Sequence, residues 1–299
     1  MAINDKKMRN FGRIGLFCAA LFWGIAFVVM KNVLSNIPTL YILAFRFCGS
    51  ALILLPFCAF KLKKLDRKYF TGGTLMGMTL VLAYIFQTYG LNLTTPGKNA
   101  FLTCVYCVIV PFLFWAFAKI KPDRFNVIAA IVGIIGIGLI SLDNDFSIAT
   151  GDLLTIICGL FFALNIVATA KTISGRDPVM LAMIQFASAG ILALFCAIVF
   201  EPFPTFVSSE DIWGLVFLTL ICTAGCILLQ VFGQKYTLPS ETAIIISLES
   251  PFGALSSVLL YGEVLTVKLL TGFVLTFAAV IISETKLNFL NKSKALEQK

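Results

Sequence analysis

The residues of this chain that could do chemistry are a few charged side chains set inside long apolar stretches. Glu249 and Arg46 each lie about two helical turns from the nearest end of such a stretch. A charge at that depth in a membrane is costly and usually faces a cavity or a partner. Glu249 could therefore contact a solute, take up a proton or form an ion pair with Arg46. For Arg46 itself, a structural role is favoured over solute binding.

Uncharged polar and aromatic side chains add to this set. Three side-chain amides could form hydrogen bonds with a solute, namely those of Gln87, Gln230 and Asn165. The alternative is that they link transmembrane helices to one another, as buried amides also do. Trp23 lies deep in an apolar stretch, whereas tryptophan prefers membrane interfaces, so it either stacks on an aromatic or cationic solute or packs in the core. The predicted solute-binding residues are Glu249, Trp23, Arg46, Asn165, Gln87 and Gln230.

Two prolines, Pro111 and Pro251, interrupt apolar stretches at positions 140 residues apart. Proline inside a helix removes one hydrogen bond and clashes with the carbonyl four residues earlier, here those of Cys107 and Ser247. We expect both prolines to act as structural or hinge residues, because paired interruptions in two halves of a chain often mark a transporter site. The alternative is that the kinks only shape helix packing.

Catalytic and metal chemistry have little support in the sequence. The chain has no histidine, which removes the commonest general base and metal ligand. Gly97-Lys98 is not a phosphate-binding loop, because Asn92 and Asn99 replace the required glycine and hydroxyl residue. The nine cysteines all lie in apolar stretches, where free cysteine behaves as a small hydrophobic residue. We therefore expect no enzyme activity, no cofactor and no metal.

The elements that position these residues are membrane spans. The chain is 59% hydrophobic and 13% charged, with a mean hydropathy of +0.97. About 20 apolar residues cross a hydrocarbon core as a helix, and only helices satisfy the backbone within one such segment. We count ten spans and predict an all-α polytopic membrane protein. The spans cover about 13–34, 38–60, 69–91, 98–118, 125–142, 151–171, 178–200, 212–233, 240–261 and 266–286.

The sequence also contains an internal duplication. Residues 87–100 read QTYGLNLTTPGKNA and residues 230–243 read QVFGQKYTLPSETA, which share Gln, Gly, Thr, Pro and Ala at one offset. Each half holds five spans, and a unit with an odd number of spans must be followed by an inverted copy. We predict two inverted five-helix repeats, 13–142 and 151–286, between terminal tails at 1–12 and 287–299.

The positions of the basic residues predict the orientation. With the N-terminus in the cytoplasm, 19 of the 23 basic residues fall on the cytoplasmic side, as the positive-inside rule requires. The net charge of +8 is therefore a topology signal and does not indicate binding to nucleic acid. We expect a multi-pass protein of the cytoplasmic membrane with both termini in the cytoplasm.

Several short motifs in order along the two halves carry a family resemblance. They are Phe22-Trp23-Gly24-x-x-Phe27-x-x-x-Lys31, Pro38, Arg46, Gly97-Lys98-Asn99-Ala100-Phe101-Leu102-Thr103, Pro111, Leu248-Glu249-Ser250-Pro251 and Gly262-Glu263. In these motifs the chain resembles the EamA-type permeases of the drug/metabolite transporter superfamily. The resemblance implies ten transmembrane helices, a cavity framed by spans 1–4 and 6–9, and transport of small organic metabolites or drugs, often as efflux.

These observations predict a secondary transporter, working as an exporter, that moves a small organic solute by alternating access around a cavity between the repeats. A channel or facilitator for a small solute is the alternative, since it would use the same bundle without alternating access. The expected partners are the solute and the lipid bilayer, with possible proton coupling. The chain would function as a monomer or a homodimer.

Overall fold

The computed structural model describes residues 2–60, 65–119, 121–142, 147–173, 175–236 and 245–286. These residues are largely helical, and the only β-type pairing described among them is an isolated bridge between Leu142 and Ile148. The predicted C-terminal tail, 287–299, lies outside the described residues. So do Thr237, Pro239 and Ala243 of the second copy of the repeated motif.

The helices fall into two sets that follow the predicted repeats. The first set is α1 (Ala2–Val33), α2 (Thr39–Cys58), α3 (Arg67–Leu93), α4 (Pro96–Thr103), α5 (Tyr106–Ala118) and α6 (Arg124–Ser141). The second set is α7 (Thr150–Thr172), α8 (Pro178–Phe200), α9 (Ser209–Val216), α10 (Cys226–Tyr236), α11 (Glu249–Ser256) and α12 (Val267–Thr285). Two π-helical segments, Phe217–Gly225 and Ser257–Tyr261, continue α9 and α11.

The prediction of ten spans is confirmed. Among the described residues, nine helical segments are long and apolar enough to cross a membrane. A shorter apolar segment, Ile245–Tyr261, brings the number to ten and is the ninth span in chain order. The fourth span, Pro96–Ala118, consists of α4 and α5. The eighth, Ser209–Gln230, combines α9, a π-helical segment and part of α10. The structure differs at the N-terminus, where α1 already begins at Ala2 within the predicted tail. No proline precedes the first apolar run, and the single glycine before it, Gly12, does not break the helix.

Short polar side chains define where several helices begin. The Asp66 carboxylate accepts a hydrogen bond from Tyr69 N at the start of α3, and Asp177 does the same for Val179 N at the start of α8. Asp123 forms a reciprocal capping box with Asn126 at the start of α6. These caps satisfy backbone donors that no helical carbonyl can reach, so the loops fix the ends of the spans.

The two repeats pack against each other along their lengths. Helix α3 lies against α7, α2 against α8, and α6 against α12. The last pair approaches closely, since a Cβ atom added to Gly136 would lie 2.5 Å from Thr276 Oγ1, and one added to Gly272 would lie 2.8 Å from Ile140 Cγ1. Small residues permit this approach, which raises the van der Waals contact between helices in a membrane.

Successive spans run in opposite directions, so the connections between them lie alternately at one end of the bundle and at the other. We call the end that carries the turns at 65–66, 121–123 and 175–177 the terminal end, because α1 begins there and α12 finishes there. The far end carries the connections at 34–38 and 201–208. The terminal end is the cytoplasmic end in the orientation predicted from the basic residues.

Candidate functional site

A cavity of about 470 Å³ lies between the two repeats. Its walls come from α1–α5, α7, α8, α10 and the Ile245–Tyr261 span, and no wall residue in the described part of the chain comes from α6 or α12. All six predicted solute-binding residues line it, namely Trp23, Arg46, Gln87, Asn165, Gln230 and Glu249. The structure thus brings together side chains that are up to 226 positions apart in the sequence.

Glu249 lies where two interrupted spans meet. The fourth span is interrupted at Cys104 and Val105, between α4 and α5, and the ninth at Leu248, just before α11. The Glu249 carboxylate lies 3.4 Å from the Cys104 Sγ and 3.4 Å from the Tyr106 hydroxyl. Both donors are neutral groups, so the Glu249 carboxylate can still take a cationic partner.

The two prolines do not themselves line the cavity. Pro251 is in the first turn of α11, and the carbonyl with which it would clash belongs to Ser247, next to the interruption at Leu248. Pro111 lies inside α5, and the carbonyl of Cys107 that it leaves without a helical partner accepts a hydrogen bond from Ser283 Oγ at 3.4 Å. Pro251 therefore lies beside the candidate site, while Pro111 affects the contact between α5 and α12.

Arg46 is engaged by the second repeat, but not by Glu249. Its Nε and Nη2 atoms donate to Thr223 Oγ1 at 3.2 and 3.0 Å, and its guanidinium lies 5.0 Å from the centre of the Tyr84 ring. No ion pair joins Arg46 and Glu249 in the described part of the chain. This arrangement favours a structural role for Arg46 and leaves Glu249 without a direct counterion among the described side chains.

A π-helical segment in the eighth span, Phe217–Gly225, supplies polar groups to the opposite repeat. The Trp23 indole nitrogen donates to the Cys222 carbonyl at 2.7 Å, while the Thr223 hydroxyl donates to the Leu218 carbonyl five residues earlier at 2.7 Å. The wider winding of a π-helix exposes backbone carbonyls, and such segments are frequent at functional sites. Trp23 is thereby held in the cavity wall by a hydrogen bond across the repeats.

The predicted amides lie in the cavity wall with partners on neighbouring helices. Asn165 donates to the carbonyl of Met76 at 2.7 Å, which joins α7 to α3. Gln87 donates to Thr103 Oγ1 at 3.1 Å, which joins α3 to α4. Gln230 lines the cavity from α10. These contacts suit the helix-linking interpretation for Asn165 and Gln87, and both residues also line the cavity.

The cavity is accessible from one end of the bundle. At the terminal end, the cavity lining reaches Ile173 and Pro178, which flank the turn at 175–177 where two spans end. At the opposite end of the same cavity, Met30 is 4% exposed and Leu91 only 1%. The described conformation is therefore open towards the terminal end and closed towards the far end.

Polar contacts between the repeats hold the far end closed. Asn36 donates to the Asp211 carboxylate at 3.0 Å, and Lys98 forms an ion pair with Asp152 at 3.2 Å. Asp152 is fully buried and also accepts a hydrogen bond from Thr94 at 2.5 Å. Lys31 lies nearby and donates to the Leu91 carbonyl at 2.7 Å, so it anchors the end of α3, as cations near a helix C-terminus do.

The arrangement matches a known family. The model of the EamA-like transporter family matches residues 10–142 and again 149–285, one match for each repeat. The chain belongs to the EamA-like transporter family. It is thus a multi-pass membrane transporter, and the cavity walls are those that the family resemblance implied.

Relatives of this EamA-like chain bear general names. An "Uncharacterized transporter" of Archaeoglobus fulgidus is 33% identical over 92% of this chain and 86% of its own length. The "Uncharacterized transporter YoaV" of Bacillus subtilis is 22% identical over 70% of this chain and 75% of its own. A solved crystal structure aligns with a TM-score of 0.67 over 93% of this chain and 98% of its own, at 15% identity, which supports the fold alone.

Some cavity residues of this EamA-like transporter were not predicted. Tyr84 and Tyr106 line the cavity and contact the two charged residues, yet the sequence gives no partner for either. One signal was available, because tyrosine resembles tryptophan in preferring the membrane interface and both tyrosines lie well inside their spans. Thr223 gave no such signal, since threonine is common in transmembrane helices and its role depends on the π-helical segment.

Proposed function

We propose that this EamA-like chain is a secondary transporter that moves a small organic solute by alternating access. One observation carries this proposal: a single cavity, lined by both repeats, is open at the terminal end and closed at the far end. A carrier needs two conformations that each expose one central site to one side of the membrane. The described structure has the features of one of them.

The walls of the cavity suit a solute with an aromatic or apolar body and an amine or other cationic group. The cavity has aromatic surface, and aromatic ring faces attract cations. This surface comes from Trp23, Tyr84, Tyr106 and Phe162. Glu249 is the one carboxylate among the described wall residues, and its two hydrogen-bond donors, Cys104 and Tyr106, are both neutral. A cationic group would give this carboxylate the charged partner that Arg46 does not supply.

We propose export as the direction of transport. The distribution of basic residues supports a cytoplasmic terminal end, so the described conformation would accept solute from the cytoplasm. Protonation of Glu249 on the opposite side could then couple export to an inward proton gradient. Labelling of single cysteines placed at 147–149 and 204–208 should occur from outside the cell, and at 121–123 from inside. The reverse pattern would contradict export from the described conformation.

Two experiments in sequence test the transporter proposal. Purified protein is first screened for thermal stabilisation by amino acids, nucleosides, vitamins and cationic drugs, which identifies a ligand. Proteoliposomes loaded with that unlabelled ligand should then accumulate the labelled form from outside, because a carrier exchanges solute through one alternating site. A channel would show no such stimulation, and empty liposomes are the control. Uptake that does not depend on the internal ligand would contradict alternating access.

A further inference from the structure

Glu263 lies at the far end and folds back onto the span that precedes it. It follows Gly262, whose φ of 76° lies in the left-handed region that glycine adopts without strain. The Glu263 backbone nitrogen donates to the Ser257 carbonyl at 3.2 Å, and the Ser257 hydroxyl donates to the Glu263 carboxylate. The side chain is thus fixed by the end of its own π-helical segment.

The same carboxylate binds the start of α4 in the other repeat. It accepts a hydrogen bond from the Thr95 hydroxyl through Oε1 and one from Gly97 N, at 3.0 Å, through Oε2. Thr95 is the N-cap residue of α4, so the Glu263 charge lies at the positive end of that helix. A Cβ atom on residue 97 would lie 2.5 Å from Oε2, which shows how closely the two groups approach.

Helix α4 connects this contact to the candidate solute site. Its last residue, Thr103, lines the cavity, and the following Cys104 contacts Glu249. Between its two ends, the Ala100 carbonyl accepts a hydrogen bond from Ser250 of the second repeat at 3.2 Å. A regular helix of eight residues moves largely as one rigid unit, so we expect a displacement at Gly97 to reach Cys104.

We infer that Glu263 is a positioning residue for transport, which rests on the proposed alternating access. Its carboxylate holds α4 against the second repeat and so keeps the far end of the cavity closed. Opening of the far end requires that the contacts with Thr95 and Gly97 separate. Loss of the carboxylate charge should therefore shift the conformational equilibrium towards the state that is open at the far end.

The substitution Glu263→Gln tests this inference with two introduced reporter cysteines, one in each test protein. Thr88→Cys reports on the closed side of the cavity, since Thr88 is 1% exposed, and Ile173→Cys reports on the open side. Maleimide labelling is quantified at each reporter peptide by mass spectrometry, so the native cysteines stay in place. Glu210→Gln is the matched control, because Glu210 is an exposed carboxylate at the same end of the bundle.

Glu263→Gln should raise the labelling rate of Thr88→Cys on the order of tenfold, as expected for the loss of charge-assisted hydrogen bonds. The labelling rate of Ile173→Cys should fall at the same time, and Glu210→Gln should change neither rate. The reciprocal change separates a conformational shift from general loosening, in which both rates would rise. Unchanged rates, or a rise in both, would overturn the inference.

A second variant tests the same contact from its other side, in case Glu263→Gln folds poorly. Thr95→Val removes the hydroxyl on the other side of the contact and should shift both labelling rates in the same directions. The double variant should add little to either single change, because the two residues share one interaction. Independent, additive effects would overturn the inference. If wild-type protein shows no solute exchange, the transport proposal fails, whereas the labelling data still decide the role of Glu263.

Discussion

Arg46 of the first repeat donates two hydrogen bonds to a single oxygen atom of the second, the hydroxyl of Thr223, at 3.2 and 3.0 Å. The acceptor belongs to a π-helical segment, and the guanidinium also lies over the Tyr84 ring. A buried cation is therefore stabilised by neutral groups of both repeats. Because Arg46 has these partners, Glu249 remains available in the cavity.

The Arg46–Thr223 contact should contribute to the stability of the bundle. Arg46→Gln and Thr223→Val should each lower the free energy of unfolding by about 1.5–3 kcal/mol, as loss of a hydrogen bond to a charged group does. The double variant should be little less stable than Arg46→Gln alone, because both changes remove the same interaction. Thermal unfolding in detergent measures these effects. Fully additive losses would contradict a shared contact.

Glu249→Gln should reduce affinity for amine-bearing solutes about 10–100-fold while leaving affinity for neutral ones nearly unchanged, since it removes charge and preserves shape. Phenethylamine and 2-phenylethanol form a suitable pair of probes, and thermal shifts of purified protein measure their binding. Little stability should be lost, because the amide oxygen of glutamine can still accept the hydrogen bonds from Cys104 and Tyr106. Arg46→Gln should not rescue the variant.

The same variant separates solute binding from proton coupling. If Glu249 couples transport to protons, Glu249→Gln retains solute exchange in proteoliposomes but loses its response to a pH gradient. Glu210→Gln serves as the control, since it removes an exposed carboxylate away from the cavity. Wild-type affinity, exchange and pH response in Glu249→Gln would show that the carboxylate has no part in the solute pathway.

The two prolines should differ in their effect on transport. Pro251→Ala should lower transport rate several-fold more than it lowers the amount of folded protein, because Pro251 lies beside the interruption that places Glu249. Pro111→Ala should show the smaller excess, because the carbonyl that Pro111 frees is bound by Ser283 away from the cavity. Transport per molecule of folded protein is the measurement. Equal losses of transport and folded protein for both variants would favour a packing role.

The sequence predicted the spans and the cavity residues for a clear physical reason. Hydropathy marks every stretch that can cross a membrane, and a polar side chain in the middle of one must face protein or water. Glu249, Arg46 and Gln87 were found by that argument, and all three line one cavity. The internal repeat added the relation between the two halves.

The rest could not be read from the sequence. A transmembrane helix is apolar on its lipid side and on its packed side alike, so periodicity does not show which way Tyr84 or Tyr106 points. The interruption at Cys104 lies seven residues before Pro111, where no proline or glycine marks it. The π-helical segment that presents Thr223 to Arg46 could not be predicted, because no residue type in it specifies a π-helix over an α-helix.

Acid should weaken one contact between the repeats at the terminal end. Asp123 lies 2.6 Å from Lys286, and the hydrogen bond from that ammonium holds the pKa of the Asp123 carboxyl below its usual value. The stabilisation is therefore present near neutral pH and is lost as pH falls below about 4, through the lowered pKa. Both side chains are partly exposed, so solvent screening limits the contribution to about 0.5 kcal/mol.

Asp123→Asn isolates this contribution, because asparagine keeps the helix-capping oxygen and loses the charge. Thermal unfolding of both proteins should show the wild type slightly more stable at pH 7 and the difference closing towards pH 3. A stability difference that does not vary with pH would assign the effect of Asp123 to capping alone.

The far end must open and close during transport by alternating access, and a reversible cross-link across it gives the most direct measurement. Asn36 and Asp211 belong to different repeats and are joined by a 3.0 Å hydrogen bond, so cysteines at both positions accept a short methanethiosulfonate cross-linker. Solute exchange in proteoliposomes should stop when the cross-link forms and recover when it is reduced, with each single-cysteine variant as control. Unchanged exchange in fully cross-linked protein would contradict alternating access.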